Sequence, residues 1–289
     1  MVSTTRLAVL VLVIGLSCTN LSADAAKDAW KHCSRATDKE TRLQECSLAI
    51  DAGSLPKDIV ADALLLRASA YAELGDHDRA IADLDQSVIL NPSAFRSFNT
   101  RGWEYLRKFD YQRAMQDFNL SIQLNPKNDY AYNNRGIAHF LLGDFVAAES
   151  DFATALSLSP KNVRGFSALN RMLARMRQAK EGAKPDLSAV KFDGDLKEWP
   201  GPILSYYLGA SSLEVVVQNA NSRPEREKQW KLCQAYFFFA ERALIEGKRD
   251  EALGLLQKSI DTDAANDVEY AWAQGELRNL RNVQTGNIP

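Results

Sequence analysis

An all-α fold, a right-handed superhelical solenoid of helical hairpins with an irregular helical insert, is predicted by three features of this 289-residue chain. Pro92, Pro126 and Pro160 stand 34 residues apart. A set of other residue columns steps with them, and a period of that length is the mark of a repeated helical hairpin. The same order of small and apolar residues returns near the C-terminus after a gap, so the stack is interrupted. With 46% hydrophobic and 25% charged residues the chain has the composition of an ordinary folded protein. Its formal charge of −2 lacks the basic footprint of a nucleic-acid binder. Stacked hairpins present an elongated surface, which makes binding of another macromolecule the leading expectation.

Residues 1–25 read as a targeting signal: Arg6 supplies the positive start, Leu7 to Leu16 is an apolar core too short to span a bilayer, and a polar stretch follows. The chain is therefore expected to be exported to a periplasm. Two endings of the signal compete. Ala23-Asp24-Ala25 fits the small-x-small cleavage rule and would release a soluble protein beginning near Ala26. Gly15-Leu16-Ser17-Cys18 resembles the bacterial lipoprotein box, in which a lipidated Cys18 becomes the N-terminus and provides the sole attachment to a membrane.

Residues 26–60 read as an N-terminal hairpin. Cys33 and Cys46 are 13 apart, the spacing of Tyr71 and Leu84, Tyr105 and Phe118, and His139 and Phe152, which face each other across the later hairpins. An exported chain permits a disulfide there in place of the aromatic wedge, worth about 3 kcal/mol for so short a loop. A redox or metal role and two free thiols remain as other readings. Thr37-Asp38-Lys39-Glu40 looks like a capping box opening the second helix. Cys233, within an apolar helix start, reads as a buried inert thiol.

Residues 61–162 hold three regular units, about 61–94, 95–128 and 129–162. Arg67, Arg101 and Arg135 are each followed by a small residue, Ala68, Gly102 or Gly136. Then come Tyr71, Tyr105 and His139; the turns Gly75-Asp76, Phe109-Asp110 and Gly143-Asp144; Ala80, Ala114 and Ala148; and Leu84, Phe118 and Phe152. Small residues let paired helices approach, aromatics fill the wedge, and Gly-Asp turns the chain. Asp83, Asp117 and Asp151 keep step with the arginines, which predicts a structural series of Arg-carboxylate pairs. These columns closely resemble the tetratricopeptide repeat family.

Residues 163–232 lose the columns and are expected to be helical but irregular: a helix from Phe166 to Lys180, a polar loop over 185–198, then helices Ile203 to Leu208 and Ser212 to Ala220. Arg171, Arg175, Arg177 and Lys180 make the start of this insert basic, read as a solvated helix face or a patch for anionic lipid or an acidic partner. In residues 233–289, Ala240, Gly247, Ala252, Leu256 and Ile260 repeat Ala68, Gly75, Ala80, Leu84 and Val88 with an offset of 172, giving a fourth unit at 233–266. A final helix near 267–282 is expected to cap the stack through Glu276, Arg278, Asn279 and Arg281.

The order Trp199-Pro200-Gly201-Pro202, Tyr206-Tyr207-Leu208-Gly209, Cys233-Gln234-Ala235-Tyr236-Phe237 and Asp267-Val268-Glu269-Tyr270 resembles the C-terminal half of NlpI-like bacterial envelope lipoproteins. That resemblance implies an envelope adaptor that docks a processing protease, presents cell-wall hydrolases to it and scaffolds peptidoglycan enzymes. The imperfect lipoprotein box, whose Gly15 and Leu16 are not its preferred residues, and the cystine hairpin depart from that pattern, so a distant relative with other clients is expected.

In stacked hairpins the first helices line the concave face. The candidate partner-binding residues are therefore Arg96, Asn99, Thr100, Trp103 and Arg107 in the second unit and Tyr130, Asn133, Asn134 and Ile137 in the third. Asparagine donates and accepts at once, and Trp and Arg are residue types that anchor interfaces. Packing of Trp103 between units and solvation of the asparagines are the competing readings. Repeat proteins that clamp a C-terminal carboxylate use lysines here, whereas this chain has Leu65, Ser69 and Tyr130. Trp103→Ala with Asn133→Ala is expected to weaken capture without loss of thermal stability if the groove binds. Trp199 or Trp230 would support a homodimer if exposed.

No catalytic set, cofactor loop or metal-ligand spacing is found among the three histidines, His32, His77 and His139. The expectation is a non-enzymatic scaffold without cofactor or metal. An envelope assembly factor with no single stable client, and an enzyme built from distant carboxylates, are the alternatives.

Overall fold

The computed structural model describes residues 22–160, 164–178, 195–265 and 267–285. Among them are fourteen helices and no strand: α1 (Ala23–Cys33), α2 (Lys39–Asp51), α3 (Lys57–Glu73), α4 (His77–Leu90), α5 (Phe95–Arg107), α6 (Tyr111–Leu124), α7 (Asp129–Leu141), α8 (Phe145–Leu158), α9 (Arg164–Gln178), α10 (Gly201–Tyr207), α11 (Leu213–Asn221), α12 (Glu225–Ile245), α13 (Arg249–Ile260) and α14 (Val268–Thr285). The fold is all-α. Cys18, most of the expected signal and most of the loop expected over 185–198 lie outside the described residues.

Helices α3/α4, α5/α6 and α7/α8 are the three hairpins, and their sequence columns become contacts. Gly75 and Gly143 turn the chain at φ +79° and +80°, the left-handed region that glycine enters without cost. Asp76, Asp110 and Asp144 then cap the following helix, each accepting from the backbone N–H three residues on. A Cβ on Gly102 or Gly136 would stand 2.7 Å from the ring of Phe118 or Phe152, so the glycine and the aromatic are one device for close helix approach.

Each column arginine forks onto its own unit. Arg67 on Asp83, Arg101 on Asp117 and Arg135 on Asp151 form bidentate pairs of 2.7–2.8 Å. The remaining amino group reaches back to the second helix of the preceding hairpin, at Ser47, Asp85 or Asn119. Each guanidinium thus joins three helices, for which a planar fork is suited and an ammonium is not. A serine column adds a second tie: Ser87 donates to the Ala61 carbonyl and Ser121 to that of Phe95, both at 2.8 Å. Ser259 donates to the Cys233 carbonyl at 2.8 Å, the same bond 172 residues later, so α12 and α13 pair in the register of the earlier hairpins.

The Cys33–Cys46 disulfide joins α1 to α2, and both cysteines are buried. The cap of α2 is Asp38, which accepts from Thr41 N–H at 2.8 Å, rather than Thr37 of the expected capping box. Asp38 is the last residue in extended conformation, so the helix opens one position later.

Three features of the second half differ from expectation. Helix α9 begins 35 residues after α7 and packs on α8 as the first helix of a next unit would; the residues after it, 179–194, lie outside the described ones. Helix α12 begins at Glu225, eight residues before the expected fourth unit, inside the segment read as insert. Helix α14 does not cap the end of the stack. Trp272 is fully buried, stacked on Phe152 and edge-on to Phe140, and packed with Phe237 of α12. The molecule's main core thus lies where α7, α8, α12 and α14 converge.

Candidate partner-binding surface

The expected binding residues share the first helices α5 and α7 but divide by what they touch. Arg96 is exposed, and its charge opposes the rise that burial and Asp58 impose on the Asp62 carboxyl in α3. Tyr130 is 68% exposed. Asn99 and Thr100 are half-buried, and Asn99 accepts from the amide of the buried Asn134 at 3.2 Å. Asn133 accepts from Asn170 of α9 at 3.1 Å. These two bonds tie α5 to α7 and α7 to α9, so the asparagines are bridges rather than freely solvated groups.

Three of the residues are engaged inside the chain. Trp103 is half-buried against the core, and Ile137 is wholly inside it. Arg107 donates to the carbonyl of Ala265 at 2.7 Å, at the approach to α14. The terminal helix explains this. At Gly275 a Cβ would lie 2.6 Å from Leu141, Asn279 donates to the Leu141 carbonyl, and Arg278 stacks on Phe109 with 4.5 Å between guanidinium and ring centre. Helix α14 therefore covers the C-terminal end of the α5–α7 surface and leaves Arg96, Asn99, Thr100, Tyr130 and Asn133 beyond it.

The motif residues of the second half assemble into the seat of that helix. Trp199 donates its indole N–H to Gln234 at 2.6 Å, and the Gln234 amide donates to Asp267 at 3.2 Å and to Glu269 at 3.5 Å. Asp267 in turn accepts from Val268 N–H at 2.9 Å, opening α14. Burial pushes both carboxyls up, and for Glu269 the neighbouring Asp267 adds to the rise. Trp199 is half-buried and so is not a free docking residue; Lys231 lies over its ring. Burial pushes the Cys233 thiol up to about 12, far from the thiolate that reactivity needs.

A second buried cluster fastens α9, α12 and α14 together. Arg177 donates to Glu241 at 2.8 Å and stands 3.7 Å from Glu276. Burial works against the guanidinium charge, and the two carboxyls outweigh it. Glu241, fully buried, is pushed up to about 8 by burial, with Arg177 opposing and Glu276 adding. Arg171 and Arg175 both meet Glu149 of α8. These three arginines are thus engaged in pairs within the chain, and Lys180 lies outside the described residues. His77 Nδ1 lies 2.6 Å from the buried Glu104, His32 3.7 Å from Glu45, and His139 3.9 Å from both Asp144 and Asp151. Among the described residues no group of three or more metal-ligand side chains comes together.

Two family models, both described as tetratricopeptide repeat, match residues 61–93 and 104–179. The chain carries tetratricopeptide repeats. The second match runs through α9, in keeping with that helix's place as the first half of a further repeat. A curated relative, the lipoprotein NlpI homolog of Haemophilus influenzae, is 37% identical over 89 residues, 30% of this chain and 28% of its own length. The match therefore spans little more than a quarter of that relative. Two solved repeat proteins are similar at low identity. MamA from Desulfovibrio magneticus RS-1 is 21% identical, covering 53% of this chain and 85% of its own with a TM-score of 0.46. YrrB, a TPR protein with an unusual peptide-binding site, is 16% identical, covering 80% and 98% with a TM-score of 0.42.

Sequence reasoning missed Asn170, Glu241 and the return of α14. Asn170 falls in the small-residue column after Ala68, Gly102 and Gly136, which was the available sign that its helix stacks in the repeat register, where it meets Asn133. Phe109 gave another sign. It occupies the glycine column yet holds φ +61°, and the side chain that glycine lacks is what Arg278 of α14 rests on.

Proposed function

We propose that the protein is an exported interaction scaffold of a bacterial envelope, soluble after cleavage or anchored through Cys18, which recruits other envelope proteins by the open part of its first-helix face. A processing protease and peptidoglycan hydrolases are the partner classes that the NlpI-like motifs suggest. The carrying observation is the group Arg96, Asn99, Thr100, Tyr130 and Asn133 left accessible beside the docked α14. It offers one cation, one exposed aromatic ring and amide groups with bonding capacity to spare, which suits a peptide segment of a partner. Supporting the address are the N-terminal apolar segment and the Cys33–Cys46 disulfide, a bond that persists in oxidising compartments. No helix among the described residues is long and apolar enough to cross a membrane.

The packing of Trp103 makes its alanine variant a poor probe, because capture and stability would fall together. Arg96→Ala with Tyr130→Ala is the cleaner test. Crosslinking pull-down from native envelope is expected to return a small set of discrete proteins with the wild type and to lose them with the double variant, at unchanged melting temperature. Retention of the same set by the variant would refute this face as the binding surface.

A further inference from the structure

Helices α11 and α13 both pack on α12 and leave between them a cleft of about 640 Å³. Its walls are one line of α11, from Leu213 through Val217 to Asn221, and one line of α13, from Asp250 through Gly254 to Lys258. Tyr236 of α12 and Leu255 complete an apolar floor. The three-residue connections on either side of α12 make α11 and α13 run the same way, so Glu214, Asp250 and Glu251 gather at one end. All three are exposed, and among the described residues no cation lies within ion-pair distance of any of them. Lys258, toward the other end, lies 5.8 Å from the centre of the Tyr236 ring.

Gly254 is the decisive position. It lies mid-helix, where glycine is unfavourable, and a Cβ there would meet nothing within 4 Å. Close packing inside the chain accounts for Gly102, Gly136 and Gly275, whereas Gly254 opens a bare stretch of helix to the cleft alone. The backbone groups of both walls are satisfied within their own helices, so the walls offer an occupant side chains alone, which suits a helix that bonds its own backbone. Two helical walls, each lined over nine residues, a rise of about 12 Å, accommodate roughly two turns of such a helix.

We propose that this cleft is a second docking site and that its occupant is an amphipathic helix of a partner protein, apolar where it faces Val217, Tyr236 and Gly254 and basic where it meets Glu214, Asp250 and Glu251. Three carboxylates against one ammonium set that preference. The site is separate from the Arg96–Tyr130 face and stands or falls independently of it.

The test is fluorescence anisotropy on the intact chain with two synthetic helical probes of about 14 residues, both with a leucine face, one ending in three lysines and the other in three glutamates. The lysine probe is expected to bind about tenfold tighter than the glutamate probe, and Gly254→Leu to weaken it by about tenfold. Asp250→Lys with Glu251→Lys, both at exposed positions, should reverse the order of the probes, and Tyr130→Ala should leave binding unchanged. Equal binding of the two probes, or indifference to both cleft variants, would overturn the proposal. So would loss of binding with Tyr130→Ala, which puts the probe on the other face, or self-association of the wild type that Gly254→Leu abolishes, which gives the cleft to a second copy.

Discussion

Single glycines have opposite roles along this chain, and their substitutions should separate cleanly. At Gly136 an added methyl meets the Phe152 ring at 2.7 Å, in a core closed on every side. Gly136→Ala should therefore destabilise by about 1–3 kcal/mol through overpacking. At Gly254 the same methyl meets nothing, and Gly254→Ala should stabilise by up to about 1 kcal/mol through helix propensity. Urea denaturation of both variants measures the contrast directly. Glu241 supplies a test by pH. Its carboxyl is pushed from 4.5 to about 8, so the folded chain keeps a proton that the unfolded chain releases. Stability from this group is complete below about 4.5 and declines as pH rises toward 8. Glu241→Gln keeps the hydrogen bond to Arg177 without the titration, so its melting temperature relative to wild type should climb across that window. A constant difference would show that Glu241 is ionised in the fold throughout.

Among the elements, α14 is the one whose placement decides what surface remains. Gly275 stands against Leu141 with no room for a side chain, and Trp272 is fully buried, so Gly275→Leu should lift α14 from α7 while the regular hairpins persist. Hydrogen exchange should quicken along Val268–Thr285 and at the Trp199–Gln234–Asp267 seat, with α3 to α6 unchanged. Among the described residues the N-terminal hairpin packs on α3, and Trp30, Ile50 and Leu66 surround its cystine. Cys33→Ser with Cys46→Ser should cost about 2–4 kcal/mol, read as an earlier thermal transition confined to α1 and α2.

On the scale of the whole molecule, the hairpins were legible because each column answers a contact inside one unit or with the next. Gly102 with Phe118, Arg101 with Asp117, and Asp110 capping α6 are all separated by fewer than one period. The Cys33–Cys46 pairing was legible for the same reason, since its spacing matches columns that face each other. The return of α14 was not. Trp272, Gly275 and Asn279 find their partners on α7 and α8, more than a hundred residues earlier, and no local spacing encodes that distance. Polar residues on α14 suggested a solvated cap, yet Glu276 is buried against Arg177. The candidate face was legible as a set of helix positions, but which of them stay open depends on α14 and on the bridges from Asn134 and Asn170.

A scaffold whose open first-helix face carries the partner should crosslink to it through that face and not through the second helices. A photo-crosslinking amino acid placed at Tyr130, and in a second variant at Ile89 of α4, which is 76% exposed, tests it in the native envelope. Discrete protein adducts at position 130, with none at 89, are the predicted result. Adducts at 89 with none at 130 would put the partner on the second helices instead and rule out the first-helix face.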